Sequence, residues 1–277
     1  MEQGSQRPPA ESPAEIYERH MVPPMVAPWV SALLDLLALQ PGERLLDVAC
    51  GTGAVARHAV SQVAARGRVV GLDINPTMLA MARGHARGGA WLQGTAVAMP
   101  FADHAFDAAV CQQGLQFFPD QGAALREINR VLAPGGRLAL ALWCEVESSP
   151  GHHALARGLA QHVGAEAAAL MYSVFRLEAA EIIRTLLEDA GFRAVRICRE
   201  ARMARFRSPE AFTRFVVAGS VLGRTGVRVP DAALSALIHD VDVALRPYVH
   251  ADGLEFPMEA HLIVAHTQER AGDGIHG

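Results

Sequence analysis

A short apolar run ending in two glycines constrains the fold of this chain more than any other feature. Residues 44–49 (RLLDVA) predict a strand, residues 50–53 (CGTG) a turn, and residues 54–65 a helix. Gly51 and Gly53 permit a tight turn and allow a ligand to approach the backbone closely. The helix behind the turn begins with free N–H groups and the positive end of its dipole, which suit an anionic group. This segment therefore predicts the ligand-binding turn of an α/β fold.

Further strands and helices alternate after this turn. Asn75 is a suitable N-cap and Pro76 a suitable first residue for the helix that follows the second strand. Strands separated by helices of about ten residues indicate a parallel, doubly wound sheet whose carboxyl ends meet at one ligand-binding edge. The predicted strands are 68–73, 90–95, 106–111 and 137–143, with helices over 76–86 and 121–132 between them.

The rhythm changes after the fifth strand, where the chain becomes mainly helical before a final extended stretch. The helical stretch before that last strand is too long for a simple connection, so we expect it to cover something. The predicted organisation is a disordered leader (1–14), an N-terminal helical cover broken near Pro23–Pro24 (15–43), a cofactor-binding core (44–207), a helical lid (208–252), the last core strand (253–270) and a flexible tail (271–277).

Composition narrows the class of partner. The net charge is −4 and no basic run stands out, which disfavours a nucleic-acid substrate. No apolar run approaches the length that spans a bilayer, and the start lacks the order of a secretion signal, so we expect a cytoplasmic protein. The four cysteines lie far apart and suit reduced core thiols, and the twelve histidines show no metal-ligand spacing, so we expect surface histidines and no metal.

Asp73 ends the second strand, about twenty residues past Gly53. A carboxylate there can accept hydrogen bonds from both hydroxyls of a ribose, which indicates a nucleoside-containing cofactor. The pattern Gly51-x-Gly53-x-x-Ala56 also fits a dinucleotide fingerprint, so these residues alone leave the cofactor open.

Three further observations favour S-adenosylmethionine over a dinucleotide. Asp47 lies at the end of the first strand, where a dinucleotide fold normally has an uninterrupted apolar run. The PF pair at 100–101 precedes FD at 106–107, and LAPGG at 132–136 enters the fifth strand. With DVACGTG at 47–53, these motifs resemble, in order and spacing, the class I methyltransferase superfamily. The likeness is greatest to the branch containing the ubiquinone and menaquinone C-methyltransferases and related small-molecule methyltransferases.

This resemblance covers residues 44–143 well and is looser over 177–192 and 256–265. It implies a Rossmann-like doubly wound sheet of about seven strands, mostly parallel with an antiparallel last strand, and S-adenosyl-L-methionine as cofactor. One departure is Thr95, where many relatives carry an aspartate for the adenine amine. By this resemblance the cofactor contacts would be Ala49, Gly51, Thr52 and Gly53 around the methionine end, Asp73 on the ribose, Ile74, Thr95 and Ala96 at the adenine, and Gln112 beside the sulfonium.

The acceptor side is less defined by the sequence. Tyr17, His20 and Gln116 are the substrate-facing candidates, with surface placement an equal alternative for Tyr17 and His20. The catalytic base, if one is used, cannot be named, because the cofactor carries the activated methyl group. The apolar lid favours a small hydrophobic or aromatic acceptor. Four phenylalanines are expected in the core rather than in contact with the acceptor: Phe101, Phe106, Phe117 and Phe118. Three histidines are candidate bases, with placement in solvent the favoured alternative: His152, His153 and His250.

The sequence thus predicts a methyltransferase of small-molecule or secondary metabolism and leaves its O, N or C acceptor, and a homodimer, open. Two alternatives stand beside it. A non-methylating binder or cyclase on the same fold would show the same glycines and Asp73. An NAD-dependent oxidoreductase would need a further catalytic group such as Tyr-x-x-x-Lys, and no lysine stands at that spacing from a tyrosine.

Overall fold

The computed structural model describes residues 11–63, 66–85, 88–177 and 179–269. Within these ranges, helices and strands alternate as the sequence predicts, with boundaries within a few residues of the predicted ones. The strands are β1 (Arg44–Val48), β2 (Arg68–Asp73), β3 (Gly89–Gln93), β4 (Phe106–Gln112), β5 (Leu132–Trp143), β6 (Arg193–Phe206), β7 (Val249–His250) and β8 (Gly253–His266). The helices are α1 (Pro13–Ile16), α2 (Ala27–Leu37), α3 (Ala54–Val63), α4 (Pro76–His85), α5 (Gln121–Val131), α6 (Pro150–His162), α7 (Ala165–Tyr172), α8 (Ala180–Asp189), α9 (Pro209–Gly219), α10 (Val221–Thr225) and α11 (Asp231–Leu245).

All eight strands belong to one sheet with the order β3-β2-β1-β4-β5-β8-β6, and β7 pairs with β8 outside this path. Strands β1 to β5 pair in parallel, whereas β8 runs antiparallel to both β5 and β6. The predicted mostly parallel sheet with an antiparallel last strand is therefore confirmed. The count is eight rather than about seven because the two-residue β7 adds a short hairpin pair to β8.

Both faces of the sheet are covered, because successive residues of each central strand point to opposite sides. Leu45 of β1 belongs to one buried apolar cluster and its neighbour Leu46 to the other. The first cluster includes residues of α2, α3 and the later helices α6, α7, α9 and α11, and the second includes residues of α5 and α8. This arrangement leaves the carboxyl ends of β1, β2 and β4 at one edge, beneath the N-terminal helices and the late helices.

Side-chain caps explain where several helices begin. The Asn75 side chain accepts a hydrogen bond from Thr77 N at 2.9 Å, which confirms the predicted cap of α4. Asp120 accepts from Ala123 N at 2.8 Å at the start of α5, and Ser208 caps α9 in the same way. Each cap follows a strand or loop directly, so the helices start close to the ligand edge of the sheet.

The N-terminal helical cover differs from the prediction in one respect. The expected break at Pro23–Pro24 is wrong, since these prolines lie inside a π-helical segment, Tyr17–Val26, that joins α1 to α2. The wider π turns accommodate residues that a regular α-helix would not. The helix also begins at Pro13, and Ala14 is buried, so the last part of the predicted leader is folded; its residues 1–10 and the predicted tail 271–277 lie outside the described residues.

The helical run Pro13–Leu37, with 25 residues and a mean hydropathy of 1.2, is long and apolar enough to cross a membrane by length and composition. The sequence alone predicts no apolar run long enough to span a bilayer. Trp29, Leu33 and Leu37 of this run are buried in the first apolar cluster. A core helix of this kind passes the same test, so the run is weak evidence for a membrane span.

The helical lid is larger than predicted. Helices α9, α10 and α11 form within the expected range 208–252, and α11 packs against both α9 and α6. Helices α6 and α7, which the sequence analysis assigned to the core, contact each other and share the first apolar cluster with α9 and α11. The lid therefore comprises α6, α7, α9, α10 and α11, because these helices form one layer.

Candidate active site

The glycine turn lies at the carboxyl end of β1 and has an unusual backbone. Ala49, Gly51 and Gly53 all have positive φ angles, of 56°, 54° and 82°. A Cβ atom added to Gly51 would meet no atom within 4 Å among the described residues, so its Cα faces open space. Gly51 lines the main cavity of the protein, and Ala49 lies beside it there. The turn is therefore a cradle with room for a ligand at Gly51.

Gly53, predicted to contact the cofactor, has a different position. A Cβ atom there would lie 2.5 Å from the Trp91 ring, and Gly53 is not among the residues that line the two described cavities. Trp91 also packs on Gly71 of β2. Gly53 is thus required for the packing of β3 behind the turn, and its contact with the cofactor stays a prediction.

Asp73 connects the turn to the end of β2. Its Oδ2 accepts a hydrogen bond from Gly51 N at 2.8 Å and its Oδ1 accepts one from Asn75 N at 2.8 Å. Burial raises the pKa of the Asp73 carboxyl, while these two amides partly oppose that shift. The carboxylate also lines the main cavity, so it both fixes the turn and faces the ligand space.

Asp47 and Thr52 lie under the turn. Asp47 is buried and accepts a hydrogen bond from Ala56 N at 3.1 Å, and burial raises the pKa of its carboxyl to about 7. Thr52 is equally buried, and its Oγ1 has no hydrogen-bond partner among the described residues. Both residues line a small second cavity that shares Tyr17, Ala49, Gly51 and Gln112 with the main one.

The remaining predicted cofactor residues line the main cavity. Ile74 is 70% exposed although it is a large apolar side chain, and such exposure beside a cavity suits a flat ligand packed on it. Thr95 and Ala96 line the same wall. Gln112 donates from Nε2 to Val26 O at 2.8 Å, while its Oε1 is buried without a partner among the residues described here. The structure therefore brings these four residues together with Gly51 and Asp73.

The three substrate-facing candidates separate. Tyr17 and Gln116 line the main cavity, and burial raises the pKa of the Tyr17 hydroxyl. His20 does not line the cavity: its ring stacks on Phe215 at a centroid distance of 3.9 Å, and Nε2 lies 3.3 Å from a Glu11 oxygen. His20 thus lies outside the cavity that Tyr17 and Gln116 line, packed against α9, and its contact with a substrate stays a prediction.

Glutamine side chains form a buried polar group in the cavity wall. Gln113 Oε1 accepts from Trp143 N at 3.1 Å and from Gln116 Nε2 at 3.3 Å. These bonds fix the orientation of both amides and leave two atoms without a partner in the described part of the chain, the donor Gln113 Nε2 and the acceptor Gln116 Oε1. A ligand with a hydrogen-bond donor would satisfy this acceptor.

The inner end of the cavity contains residues that the sequence analysis placed elsewhere. Phe117 and Phe118, expected in the core, line the cavity, whereas Phe101 and Phe106 pack edge to face as expected. His152, expected in solvent, is only 4% exposed and also lines the cavity. A signal for it existed, since His152 belongs to the segment that leaves the carboxyl end of β5, nine residues after Trp143, and the carboxyl ends of parallel strands form the ligand edge.

The complete cavity has a volume of about 420 Å³ and runs from the glycine turn to the lid. Its inner walls are mainly apolar and include Met25, Trp143, Met171, Val174 and Val216.

Within the described ranges, no group of three His, Cys, Asp or Glu side chains could hold a metal ion. Cys50, Cys111 and Cys144 are buried as predicted, whereas Cys198 on β6 is exposed. Burial raises the pKa of the Cys111 thiol to about 12, which makes it unreactive.

Comparison with known proteins assigns the class of this fold and site. Residues 46–140 match the family model described as a methyltransferase domain. This part of the chain is therefore similar to methyltransferase domains, in agreement with the resemblance of its motifs.

Curated relatives match the same kind of domain. A 2-phytyl-1,4-naphtoquinone methyltransferase of Synechocystis sp. is 40% identical over 118 residues, which are 40% of this chain and 50% of that protein. The chain thus spans about half the length of the curated relatives that it matches.

Solved structures share the fold over most of the chain. A putative methyltransferase of Bacillus halodurans has a TM-score of 0.57 and 22% identity and covers 86% of this chain and 98% of its own. The [4+2]-cyclase SpnF has a TM-score of 0.54 and 22% identity, covering 88% of this chain and 81% of its own. At this identity the likeness shows the fold and leaves the reaction open.

Proposed function

We propose that this protein is an S-adenosylmethionine-dependent methyltransferase that transfers a methyl group to a small aromatic or quinone-type molecule. The observation that carries the proposal is one continuous cavity. Its outer part is lined by Gly51, Asp73 and Ile74, and its inner part by apolar lid residues such as Met171 and Val216. A nucleoside cofactor and an apolar acceptor can therefore share one enclosed space.

The outer part of the cavity fits the adenosyl and methionine groups of this cofactor. The open space over Gly51 leaves room for a chain against the backbone, and the Asp73 carboxylate is available to ribose hydroxyls. The Gln112 Oε1 and Thr52 Oγ1 atoms are buried and unpartnered in the described structure, so polar groups of a ligand would satisfy them. When bound, S-adenosylmethionine supplies a methyl group already activated on a sulfonium.

The protein contributes positioning and the exclusion of water. Tyr17 and Val26 of the N-terminal helices and Val216 and Val221 of the lid close the cavity from two sides. An enclosed, mostly apolar space can hold the two reactants in line. It also excludes water, which lowers the part of the activation free energy that comes from reorganising solvent.

The acceptor class is supported by two facts of different kinds. The inner cavity has aromatic and aliphatic walls with a few polar atoms, which favours an apolar ring compound that carries polar substituents. The relative from Synechocystis sp. is named for a phytyl naphthoquinone, a molecule of this chemical type. Identification of the methylated product will show whether an O, N or C atom of the acceptor receives the methyl group.

The proposal is tested by binding and by turnover. Calorimetry should detect binding of S-adenosylhomocysteine and no binding of NAD. Incubation of the protein with S-adenosylmethionine and a panel of phenols and hydroxylated quinones should release S-adenosylhomocysteine in proportion to methylated product. Binding of NAD alone would overturn the cofactor assignment. Binding of S-adenosylhomocysteine without a methylated product across the panel would favour a non-methylating protein, such as a cyclase on this fold.

Asp242→Asn provides a matched control for variants of the site, since Asp242 is an exposed carboxylate on α11. Gly51→Ala should abolish turnover, because its added methyl group occupies the open space of the cradle. If Gly51→Ala retained full turnover, the ligand would not lie against this turn.

A further inference from the structure

The inner cavity contains one imidazole in otherwise apolar surroundings. The His152 ring lies 5.4 Å from the ring centroids of both Phe175 and Phe212 and 6.4 Å from that of Phe256. A Cβ atom on Gly151 would lie 2.5 Å from the Phe256 ring, so the glycine allows this aromatic group to approach the start of α6. The sequence thus places a polar ring inside an aromatic cage at the cavity wall.

Ser149 holds this imidazole on one side. Its Oγ lies 2.8 Å from His152 Nδ1, and both side chains are buried. Ser149 is the N-cap residue of α6, where a serine usually accepts a hydrogen bond from a backbone N–H, but its side chain makes no such bond. The hydroxyl therefore bonds the imidazole at the expense of a cap that stabilises helices.

The hydrogen-bonding capacity of this pair fixes the position of the imidazole proton. A neutral imidazole has one N–H and one lone pair. If Nδ1 donated to Ser149 Oγ, the serine hydrogen would be left buried, with no acceptor among the described residues. If Ser149 donates to Nδ1 instead, the serine is satisfied and the imidazole proton lies on Nε2. Each arrangement leaves one hydrogen of the pair without a partner among the described residues, but in the second it lies on Nε2 of the ring that lines the cavity, where a ligand oxygen can accept it.

The His152 ring is also held neutral. Burial lowers the pKa of His152 to about 3, and no charged side chain contributes to this shift. The hydrogen-bond and ring contacts of His152 are with Ser149 and the three phenylalanines, and none of these groups carries a negative charge that would stabilise an imidazolium. This environment opposes proton uptake, so a general-base function is disfavoured and a hydrogen-bond donor function is favoured.

We propose that His152 is a substrate-binding residue whose neutral Nε2–H donates a hydrogen bond to a carbonyl or other oxygen of the methyl acceptor. This inference rests on the proposed function for placing the acceptor in the inner cavity. His152 Nε2 has no hydrogen-bond partner among the residues described, and an oxygen-bearing ring compound would supply one. The acceptor is therefore selected for an oxygen at its buried end.

A matched pair of probes tests this donor without turnover: 1-tetralone has one carbonyl oxygen, and tetralin is the same ring system without it. Dissociation constants are measured by the fluorescence of the protein, with S-adenosylhomocysteine present. The preference for tetralone over tetralin should fall about 3- to 10-fold in His152→Phe, which fills the cage but has no donor. His152→Gln retains a donor and should keep more of the preference, and His153→Phe, one residue away, should not change it.

A second measurement uses the unaltered protein. Imidazole ¹⁵N resonances distinguish the Nε2–H tautomer from the Nδ1–H tautomer and from imidazolium, and the resonance that disappears in His152→Gln assigns the ring. We expect the neutral Nε2–H form throughout pH 5–8. An Nδ1–H or charged ring, or an unchanged tetralone preference in His152→Phe, would overturn the inference. Failure of S-adenosylhomocysteine to bind would instead refute the proposed function, whatever the two probes show.

Discussion

The two glycines of the turn should fail in opposite ways when each is replaced by alanine. Both have positive φ angles, 54° at Gly51 and 82° at Gly53, and a left-handed backbone costs a non-glycine residue about 1–2 kcal/mol. At Gly51 the added methyl group meets open space, so the loss of stability should be limited to this backbone cost. At Gly53 it lies 2.5 Å from the Trp91 ring, and overpacking of this kind costs about 1–3 kcal/mol more.

Gly53→Ala should therefore lose about 2–5 kcal/mol of unfolding free energy and Gly51→Ala about 1–2 kcal/mol. Since one kcal/mol lowers the Tm of a chain of this size by about 2–4 °C, the two variants should be well separated in thermal unfolding. Calorimetric binding of S-adenosylhomocysteine to the folded proteins should show the reverse order, with near-normal affinity for Gly53→Ala and a large loss for Gly51→Ala.

The Trp91→Leu variant isolates the contact that causes this difference. Without the large ring, Gly53→Ala should cost only the backbone strain, so the double-mutant cycle should show a coupling of about 1–3 kcal/mol. Urea unfolding of the four proteins measures it. Equal stability losses for the two glycine variants, or additive effects of Gly53→Ala and Trp91→Leu, would refute the assignment of Gly53 to packing and Gly51 to the ligand.

Two further variants test the carboxylates near the turn. Asp73→Asn should weaken S-adenosylhomocysteine binding about 10- to 100-fold in calorimetry, because hydrogen bonds to a charged acceptor are stronger than those to an amide, whereas Asp242→Asn should bind normally. Asp47→Asn should remove a pH dependence of stability. Burial raises the pKa of Asp47 from 3.8 to about 7. Between these two pH values the folded protein therefore holds a proton on Asp47 that the unfolded chain has lost. This group therefore favours folding at low pH and disfavours it progressively as pH rises from about 4 to 7. Urea unfolding at several pH values should show Asp47→Asn gaining stability over the unaltered protein with rising pH, and a constant difference would contradict the buried, raised-pKa state.

The alternation of strands and helices and the residues at the outer half of the cavity could be predicted because each feature is local. A strand followed by a glycine turn, or by an aspartate and an N-cap, places its polar residues at the carboxyl edge of a parallel sheet whatever the rest of the chain does. Asp73 and Gln112 end their strands and Gly51 lies just after β1, and all three line the cavity. Gly53 shows the limit of this reasoning, because its neighbour Trp91 is distant in sequence and decides its function.

The histidines show why side-chain environment could not be predicted. His152 and His153 are adjacent on α6, yet only His152 is buried, because the start of the helix turns it toward Phe212 and Phe256 from later parts of the chain. His20 appeared well placed in the N-terminal cover, but Phe215 of α9 stacks on it and turns it away from the cavity. In both cases the deciding partners lie about 60 or more positions away in the sequence.

The two halves of the cavity therefore carry different kinds of information about function. The matched methyltransferase domain, 46–140, contains the glycine turn, Asp73 and Gln112 but ends before His152 and all of the lid. Relatives that align over 40% of the chain can therefore inform the cofactor half, while the acceptor half depends on how α6, α7 and α9 pack over the sheet. Because Ser149 and His152 belong to that second half, the oxygen that they select on the acceptor is a property of this chain's own lid, and the tetralone measurement reads it directly without assuming any relative's substrate.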